Sequence, residues 1–277
     1  MHMGTLTSRR RFLSLTGSLA AGIAVPGIPA SVLAAEMKEG KVKESGVNPV
    51  EDLVREHGVL GRVLLIYEEA ISRIRGSKEL PSEVVTDSAG IIRRFIEDYH
   101  EKLEEDEVFP RFQKAVKLRD LVSALLDQHQ AGRRLTDSIL KLSTPEVLPL
   151  PKAKQEQKDE SAAMQQIYGG KPLLFRDDGT VRFKSKSPNA KAKDELVLAM
   201  QQFIHMYRPH AAREDTALFP AFRSIVSPRE FDELGDKFEE RETELFGKEG
   251  FERVVASVDE IEKKLGIHEL SKFTPKV

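Results

Sequence analysis

Two segments of the chain repeat one arrangement of histidine, acidic and aromatic residues. Both read His-x-x-x-Glu-acid-x-x-x-Phe-Pro, beginning at His100 and at His210, 110 residues apart. A helix turns about 100° per residue, so a side chain four positions on returns to the same face. Each histidine is therefore predicted to lie one turn from a glutamate, Glu104 or Glu214. Imidazole and carboxylate together suit iron, manganese or zinc.

The repeat predicts two halves related by a pseudo-twofold axis, with the two glutamates facing each other. The apolar neighbours Leu103 and Leu218 predict that both carboxylates are buried. Burying a bare carboxylate costs several kcal/mol, so two of them need cations or protons nearby. We therefore expect Glu104 and Glu214 to bridge two cations.

Further metal ligands are expected from other positions. His57 and His129 are single histidines on two other helices, and each would complete the set. Glu101 lies about 100° from its neighbouring histidine, so it points beside the site, although its long side chain could reach. His205 is five residues from the next histidine; it would turn inward only if Pro209 causes a kink or a π-bulge.

Four long amphipathic segments would position these residues. Apolar periodicity and capping signals place them at about 48–75, from Ser82 or Thr86 to about 107, 118–142 and 194–225. The apolar stripe expected on the first helix comprises Leu53, Val54, Val59, Leu60, Val63 and Leu64. Two shorter helices follow, from Ser227 to Gly247 and from about Glu249 to Leu265. The predicted fold class is all-α: an up-down antiparallel four-helix bundle with additional C-terminal helices.

The domain organisation follows from these segments. We expect a bundle over residues 48–225, interrupted by a long loop between helices three and four at 143–193, and a helical extension at 226–277. Such a long loop is unusual in a compact domain. Within it, two apolar triplets flank Asp177-Asp178-Gly179 and indicate a small hairpin, either a lid or surface decoration.

The N-terminal residues resemble an export signal. Ser8-Arg9-Arg10-Arg11-Phe12-Leu13 is similar to the twin-arginine motif, and an apolar run and small residues follow. Residues 1–35 are therefore predicted to be a signal peptide, with 36–47 as a linker. The resemblance implies export in the folded state to the periplasm or another extracytoplasmic location. An uncleaved signal would instead serve as a membrane anchor.

Composition excludes several classes of protein. There is no cysteine, so disulfide scaffolds and thiolate-bound metals are excluded. A net charge of −2 gives no electrostatic footprint for nucleic acid. After the signal, no stretch is apolar for long enough to predict a transmembrane span. No nucleophile triad, phosphate-binding glycine loop or dinucleotide fingerprint is present, so no catalytic residue is predicted from these motifs.

The motifs together resemble the hemerythrin-like, or HHE cation-binding, domain over about residues 48–225. The segment from Tyr207-Arg208-Pro209-His210 to Leu218-Phe219-Pro220 is especially similar to one branch, and Glu56-His57 and Gln128-His129 match the single-histidine helices. The resemblance implies a non-haem di-iron centre with bridging carboxylates, which in some members binds dioxygen or nitric oxide. The residues that fall on ligand positions are His57, His100, Glu104, His129, His210 and Glu214.

The chain departs from the oxygen carriers of that family. They carry His-x-x-x-His on the third helix, where this chain has Arg133 in place of the second histidine, and reversible oxygen carriage is therefore in doubt. Two irons take about twelve donors. Four histidines, two bridging glutamates and a bridging oxide or hydroxide supply about ten. The remaining positions would go to Glu101, His205, water or a diatomic ligand.

Three functions remain open. The first is a di-iron protein that binds or senses dioxygen, nitric oxide or iron, with iron favoured over zinc and manganese. The second is a di-iron oxidoreductase of the peroxidase or ferroxidase type. Ferritin-like oxidases use Glu-x-x-His on two helices, a spacing found on only one bundle helix here, at Glu97 and His100. The third is a structural bundle that binds zinc or no metal.

Overall fold

The computed structural model describes residues 48–148 and 188–276. Within these ranges the chain is helical and contains no strand, which confirms the predicted all-α fold class. The predicted signal peptide and linker, and the hairpin predicted near Asp177-Asp178-Gly179, lie outside the described residues. No helix in the described ranges is long and apolar enough to cross a membrane.

Four helices form the bundle. Helix α1 is Pro49–Arg75 and α3 is Arg119–Leu142. Helix α2 consists of the consecutive segments Ser82–Ile91, Ile92–His100, Glu101–Leu103, Glu104–Val108 and Phe109–Ala115, and α4 consists of Pro188–Arg213, Glu214–Leu218 and Phe219–Phe222. Each helix contacts the next in chain order, and α4 returns to α1, which closes the bundle around one apolar core. The connection from α1 to α2 and that from α2 to α3 are short, as antiparallel neighbours require.

The start of α1 follows from its sequence. The Asn48 side chain accepts hydrogen bonds from the amides of Val50, at 3.1 Å, and Glu51, at 3.2 Å. Pro49 occupies the first helical position, where its missing amide hydrogen costs nothing. The expected core stripe is correct except for Val54, which is 41% exposed. Val54 lies about 100° from the buried Leu53 and therefore faces outward.

Helix α2 extends past its predicted end near residue 107 because a π-helical turn precedes Pro110, and α4 has a matching turn before Pro220. Glu104–Val108 and Glu214–Leu218 are both π-helical, and each is followed by the Phe-Pro of the repeated motif. Proline lacks an amide hydrogen, and its ring crowds the carbonyl four residues earlier. A π-helical turn is wider and accommodates this proline, so the helix continues. Both turns begin at a candidate bridging glutamate.

Two further helices cover one side of the bundle. Helix α5 is Pro228–Phe246, capped by the Ser227 hydroxyl, and α6 is Gly250–Leu265. Helix α5 packs on α1, and α6 packs on both α1 and α2. The ring of Phe246 contacts Tyr99, with ring centroids 5.4 Å apart. The C-terminal extension therefore closes the α1–α2 face next to the residues that carry the histidines.

Candidate metal centre

Six side chains from the four bundle helices converge in the interior. They are His57 on α1, His100 and Glu104 on α2, His129 on α3, and His210 and Glu214 on α4. All six are buried, and both glutamates have no exposed surface. They form two overlapping groups in which every potential ligand atom lies within 4.8 Å of the others. The repeated motif therefore does bring its histidines and glutamates together.

The two glutamates have no hydrogen-bond partner. Within the described residues, neither carboxylate oxygen of Glu104 or of Glu214 accepts a hydrogen bond. Glu214 Oε2 instead lies 3.2 Å from the Nε2 atoms of both His57 and His210. Glu104 Oε2 lies 3.4 Å from His129 Nε2. Buried carboxylates without hydrogen bonds are costly, and cations between these acceptor atoms would compensate for that cost.

The histidines form two pairs. The Nε2 atoms of His57 and His100 are 3.1 Å apart, and the ring centroids of His129 and His210 are 5.0 Å apart. Two imidazole nitrogens bound at right angles to one metal ion, each at about 2.1 Å, are separated by about 3.0 Å. The spacing of the first pair therefore fits two ligands of a single ion.

Each histidine is also anchored on its outer side. His57 Nδ1 lies 2.8 Å from Asp215 and His100 Nδ1 lies 2.7 Å from Glu56. The other two pairs are His129 with Glu105, at 3.1 Å, and His210 with Gln128, at 2.9 Å. A hydrogen bond at Nδ1 leaves Nε2 free to face the centre. This arrangement is the usual support of a metal-binding imidazole.

These outer contacts obey the twofold relation of the repeat. The acid after each candidate bridging glutamate, Asp215 or Glu105, binds the histidine of the neighbouring single-histidine helix. The residue before each single histidine, Glu56 or Gln128, binds the histidine of a motif helix. The sequence shows these residues as parts of the motifs but gives them no role of their own. Their repetition at matching positions in both halves was the signal that could have identified them.

The pKa values of the two glutamates are shifted in opposite directions. Burial, followed by the charge of Glu214, raises the pKa of Glu104 well above its usual range. Burial also acts to raise the pKa of Glu214, but His210 and His57 lower it overall. Two carboxylates that share one site cannot both ionise easily unless positive charge lies between them. The cluster therefore has the donor set and the charge pattern of a site that could hold cations.

Glu101 lies beside the centre. It is buried, and with Glu105 and His129 it forms a third group of potential ligand atoms. However, one of its oxygens accepts a 2.6 Å hydrogen bond from Tyr207, and the other pairs with Arg133 at 2.8 Å. Its second oxygen lies 4.0 Å from His129 Nδ1, the ring nitrogen that faces away from Glu104.

His205 does not join the other candidates, which corrects the prediction that it turns inward. Its side chain is exposed and lies in a groove between α1 and α4, beside Arg75 and Arg208. The expected distortion at Pro209 is absent: that residue lies within the regular segment Pro188–Arg213, and the π-helical turn begins only at Glu214. His205 therefore keeps the outward direction that regular helical geometry gives it.

Comparisons with known proteins agree with this geometry. Residues 48–155 match the hemerythrin HHE cation binding domain. Uncharacterized proteins of Mycobacterium bovis and of two Mycobacterium tuberculosis strains, CDC 1551 and H37Rv, are 40% identical over 270 residues. Each alignment covers 96% of this chain and 91% of the relative. No solved structure matches the chain significantly. Residues 48–155 therefore form a hemerythrin HHE cation-binding domain, within a chain that is related over nearly its whole length to these mycobacterial proteins.

Proposed function

We propose that this protein is a non-haem di-iron protein whose centre binds a small diatomic ligand, dioxygen or nitric oxide. One observation carries the proposal: four Nε2 atoms and two glutamates without hydrogen bonds face a common buried space, and all four imidazoles are anchored from outside. Two fully buried carboxylates that accept no hydrogen bond of good geometry are not expected of a site built only for packing.

The donors divide into two sets. His57 and His100 would hold one ion, His129 and His210 would hold the other, and Glu104 and Glu214 would bridge them. Iron bound at these positions would bind the diatomic ligand and exchange electrons with it. The donor set leaves coordination positions open, which reactivity toward a small ligand requires.

The chain's own residues orient the ligands and exclude water. The ring of Phe109 stacks on His129 and that of Phe219 on His57, with centroids 5.5 and 5.6 Å apart. Both phenylalanines are buried and belong to the Phe-Pro pairs of the repeat. The repeat thus supplies the ligands, their outer anchors and an apolar cover, so that charged donors are kept in a dry site where electrostatic interactions are strong.

An oxidoreductase of the peroxidase or ferroxidase type is the second candidate. It is favoured by Arg133, which stands where the oxygen carriers have a second histidine on the third helix. The Arg133 guanidinium pairs with Glu101 and Glu105, each at 2.8 Å. The site therefore lacks one imidazole of a carrier and has more open positions. Turnover of hydrogen peroxide by the iron-loaded protein, absent in the metal-free protein, would identify this activity.

The central test is iron content. We expect about two irons per chain after aerobic purification, with the near-ultraviolet absorption of a bridged ferric pair, and a spectral change when the reduced protein meets nitric oxide. Glu104→Ala or Glu214→Ala should lower the iron to about one or none. Glu262→Gln is the matched control, because this buried acid pairs with Arg62 at the α1–α6 interface. Unchanged iron in both alanine variants would refute the bridging assignment.

The export signal extends the proposal to location. We propose that the protein leaves the cytoplasm by the twin-arginine route, because Arg9 and Arg10 precede an apolar run and small residues. That route carries folded proteins, so the iron would be loaded before export. The mature protein would then act outside the cytoplasm, in the periplasm or an equivalent compartment.

A further inference from the structure

We infer that the two metal positions are unequal, and that the position formed by His57 and His100 binds its ion more tightly than the position formed by His129 and His210. The inference rests on the proposed two-metal centre and adds which position fills first. It follows from differences between the two halves in the residues that contact the outer sides of the imidazoles.

The first difference is the group behind the histidine of each motif helix, which is a carboxylate in one half and an amide in the other. His100 Nδ1 contacts Glu56 at 2.7 Å, and the matching atom of His210 contacts Gln128 at 2.9 Å. Both partners can accept the hydrogen bond, but only the Glu56 carboxyl group can carry a negative charge. Glu56 is almost completely buried, and it also takes part in a hydrogen bond with Tyr99. The hydrogen bond to Tyr99 therefore helps to fix its orientation toward His100. Because the carboxyl group is buried, solvent screens its charge only weakly.

The second difference is a nearby cation. Asp215 and Glu105 contact His57 and His129, respectively, in equivalent ways. However, Glu105 also binds Arg133 at 2.8 Å and the ammonium group of Lys102, so its charge is shared among three donors. Gly61 lies four residues after His57, at the position that corresponds to Arg133 on α3. The first half therefore has no side chain at this position.

Both differences act in the same direction. An imidazole binds a metal ion more strongly when its outer nitrogen donates a hydrogen bond to a negatively charged group. Changes in such outer partners alter metal affinity about 10-fold to 100-fold. The first position has two carboxylates behind its imidazoles. The second has Glu105, which is shared with an arginine and a lysine, the more distant Glu101, which pairs with the same arginine, and one neutral amide. The first position therefore attracts a divalent cation more strongly.

Titration of the metal-free, full-length protein with Co²⁺, followed by visible absorption and calorimetry, tests the inference. We expect two equivalents whose dissociation constants differ by about 10-fold or more. Gln128→Glu should tighten the weaker step about 10-fold and leave the tighter step unchanged. Glu56→Gln should weaken the tighter step by about the same factor. Glu68→Gln, an exposed acid paired with Arg208, is the control and should change neither step.

The outcomes separate this inference from the proposed function. Two equivalents of equal affinity, or an unchanged ratio in Gln128→Glu, would overturn the inference while leaving the two-metal centre intact. Binding of fewer than two equivalents by the unchanged protein would overturn the two-metal centre itself. If circular dichroism shows that Glu56→Gln does not fold, Gln128→Glu decides alone, since it adds a charge at the edge of the site without removing a ligand.

Discussion

A single methyl group added at Gly132 should disrupt the packing of Tyr207, which lies next to the proposed second metal position. A Cβ at this residue would lie 1.9 Å from the Tyr207 hydroxyl oxygen and 2.7 Å from the ring carbon that bears it. Both distances are far below van der Waals contact, so Tyr207 must move. That hydroxyl donates a 2.6 Å hydrogen bond to the buried Glu101. The ring also packs edge-on against His210, with centroids 5.3 Å apart.

The cost can be worked out from these contacts. Overpacking a filled core costs about 1–3 kcal/mol. Removing the hydrogen bond from a buried carboxylate oxygen costs about another 1–3 kcal/mol. Replacing a helical glycine by alanine otherwise stabilises the folded state by about 0.5–1 kcal/mol. We therefore expect Gly132→Ala to lower the free energy of unfolding by about 3 kcal/mol.

Urea unfolding followed by far-ultraviolet circular dichroism measures this effect. Gly61→Ala on α1 is the matched control, because an added Cβ there meets no heavy atom within 4 Å; it should stabilise by about 0.5–1 kcal/mol. In a Tyr207→Leu background the clash is gone, so Gly132→Ala should cost less than about 1 kcal/mol. A Gly132→Ala protein as stable as the unchanged protein would show that Tyr207 does not approach α3 as described.

Three further predictions concern the anchors, the acid dependence and the leader. Asp215→Asn should keep the fold but weaken metal binding about 10-fold or more, as measured by competition with a chelator, because His57 loses a charged partner; unchanged affinity would contradict this role. Burial acts to raise the pKa of Glu105, but hydrogen bonds from His129, Lys102 and Arg133 lower it to about 2. Its folded pKa lies below its unfolded value, so its stabilising effect is lost as the pH falls from 4.5 to about 2. Glu105→Gln should flatten that part of the stability curve of the metal-free protein, and identical curves would argue against these bonds. Replacing both Arg9 and Arg10 by lysine should retain the protein in the cytoplasm on cell fractionation, and undiminished export would exclude the twin-arginine route.

Much of the bundle could be predicted because its signals are local. Asn48-Pro49 marks the start of α1, and apolar periodicity gives the extent of α3 to within a residue. The end of α2 was predicted about eight residues too early, near 107 instead of at Ala115. Proline is normally a helix breaker, and only the three-dimensional structure shows that π-helical turns accommodate Pro110 and Pro220.

Part of the site could also be predicted from local sequence signals. A motif that occurs twice at one spacing identifies His100, Glu104, His210 and Glu214 without any knowledge of how the helices pack. The outer partners of the imidazoles depend on contacts between residues far apart in the chain, such as His57 with Asp215. Periodicity along a single helix carries no information about such contacts. The outward position of His205 depends on where the helix widens: the sequence allows a kink or bulge at Pro209, and the structure has the π-helical turn at Glu214–Leu218 instead.

The most direct test of the account is a crystal structure of the iron-loaded protein with anomalous scattering recorded at the iron edge. We expect two iron peaks about 3.5–4 Å apart between Glu104 and Glu214. One peak should lie next to His57 and His100, and the other next to His129 and His210. A single peak, or none at these two glutamates in a protein shown to contain iron, would contradict the account.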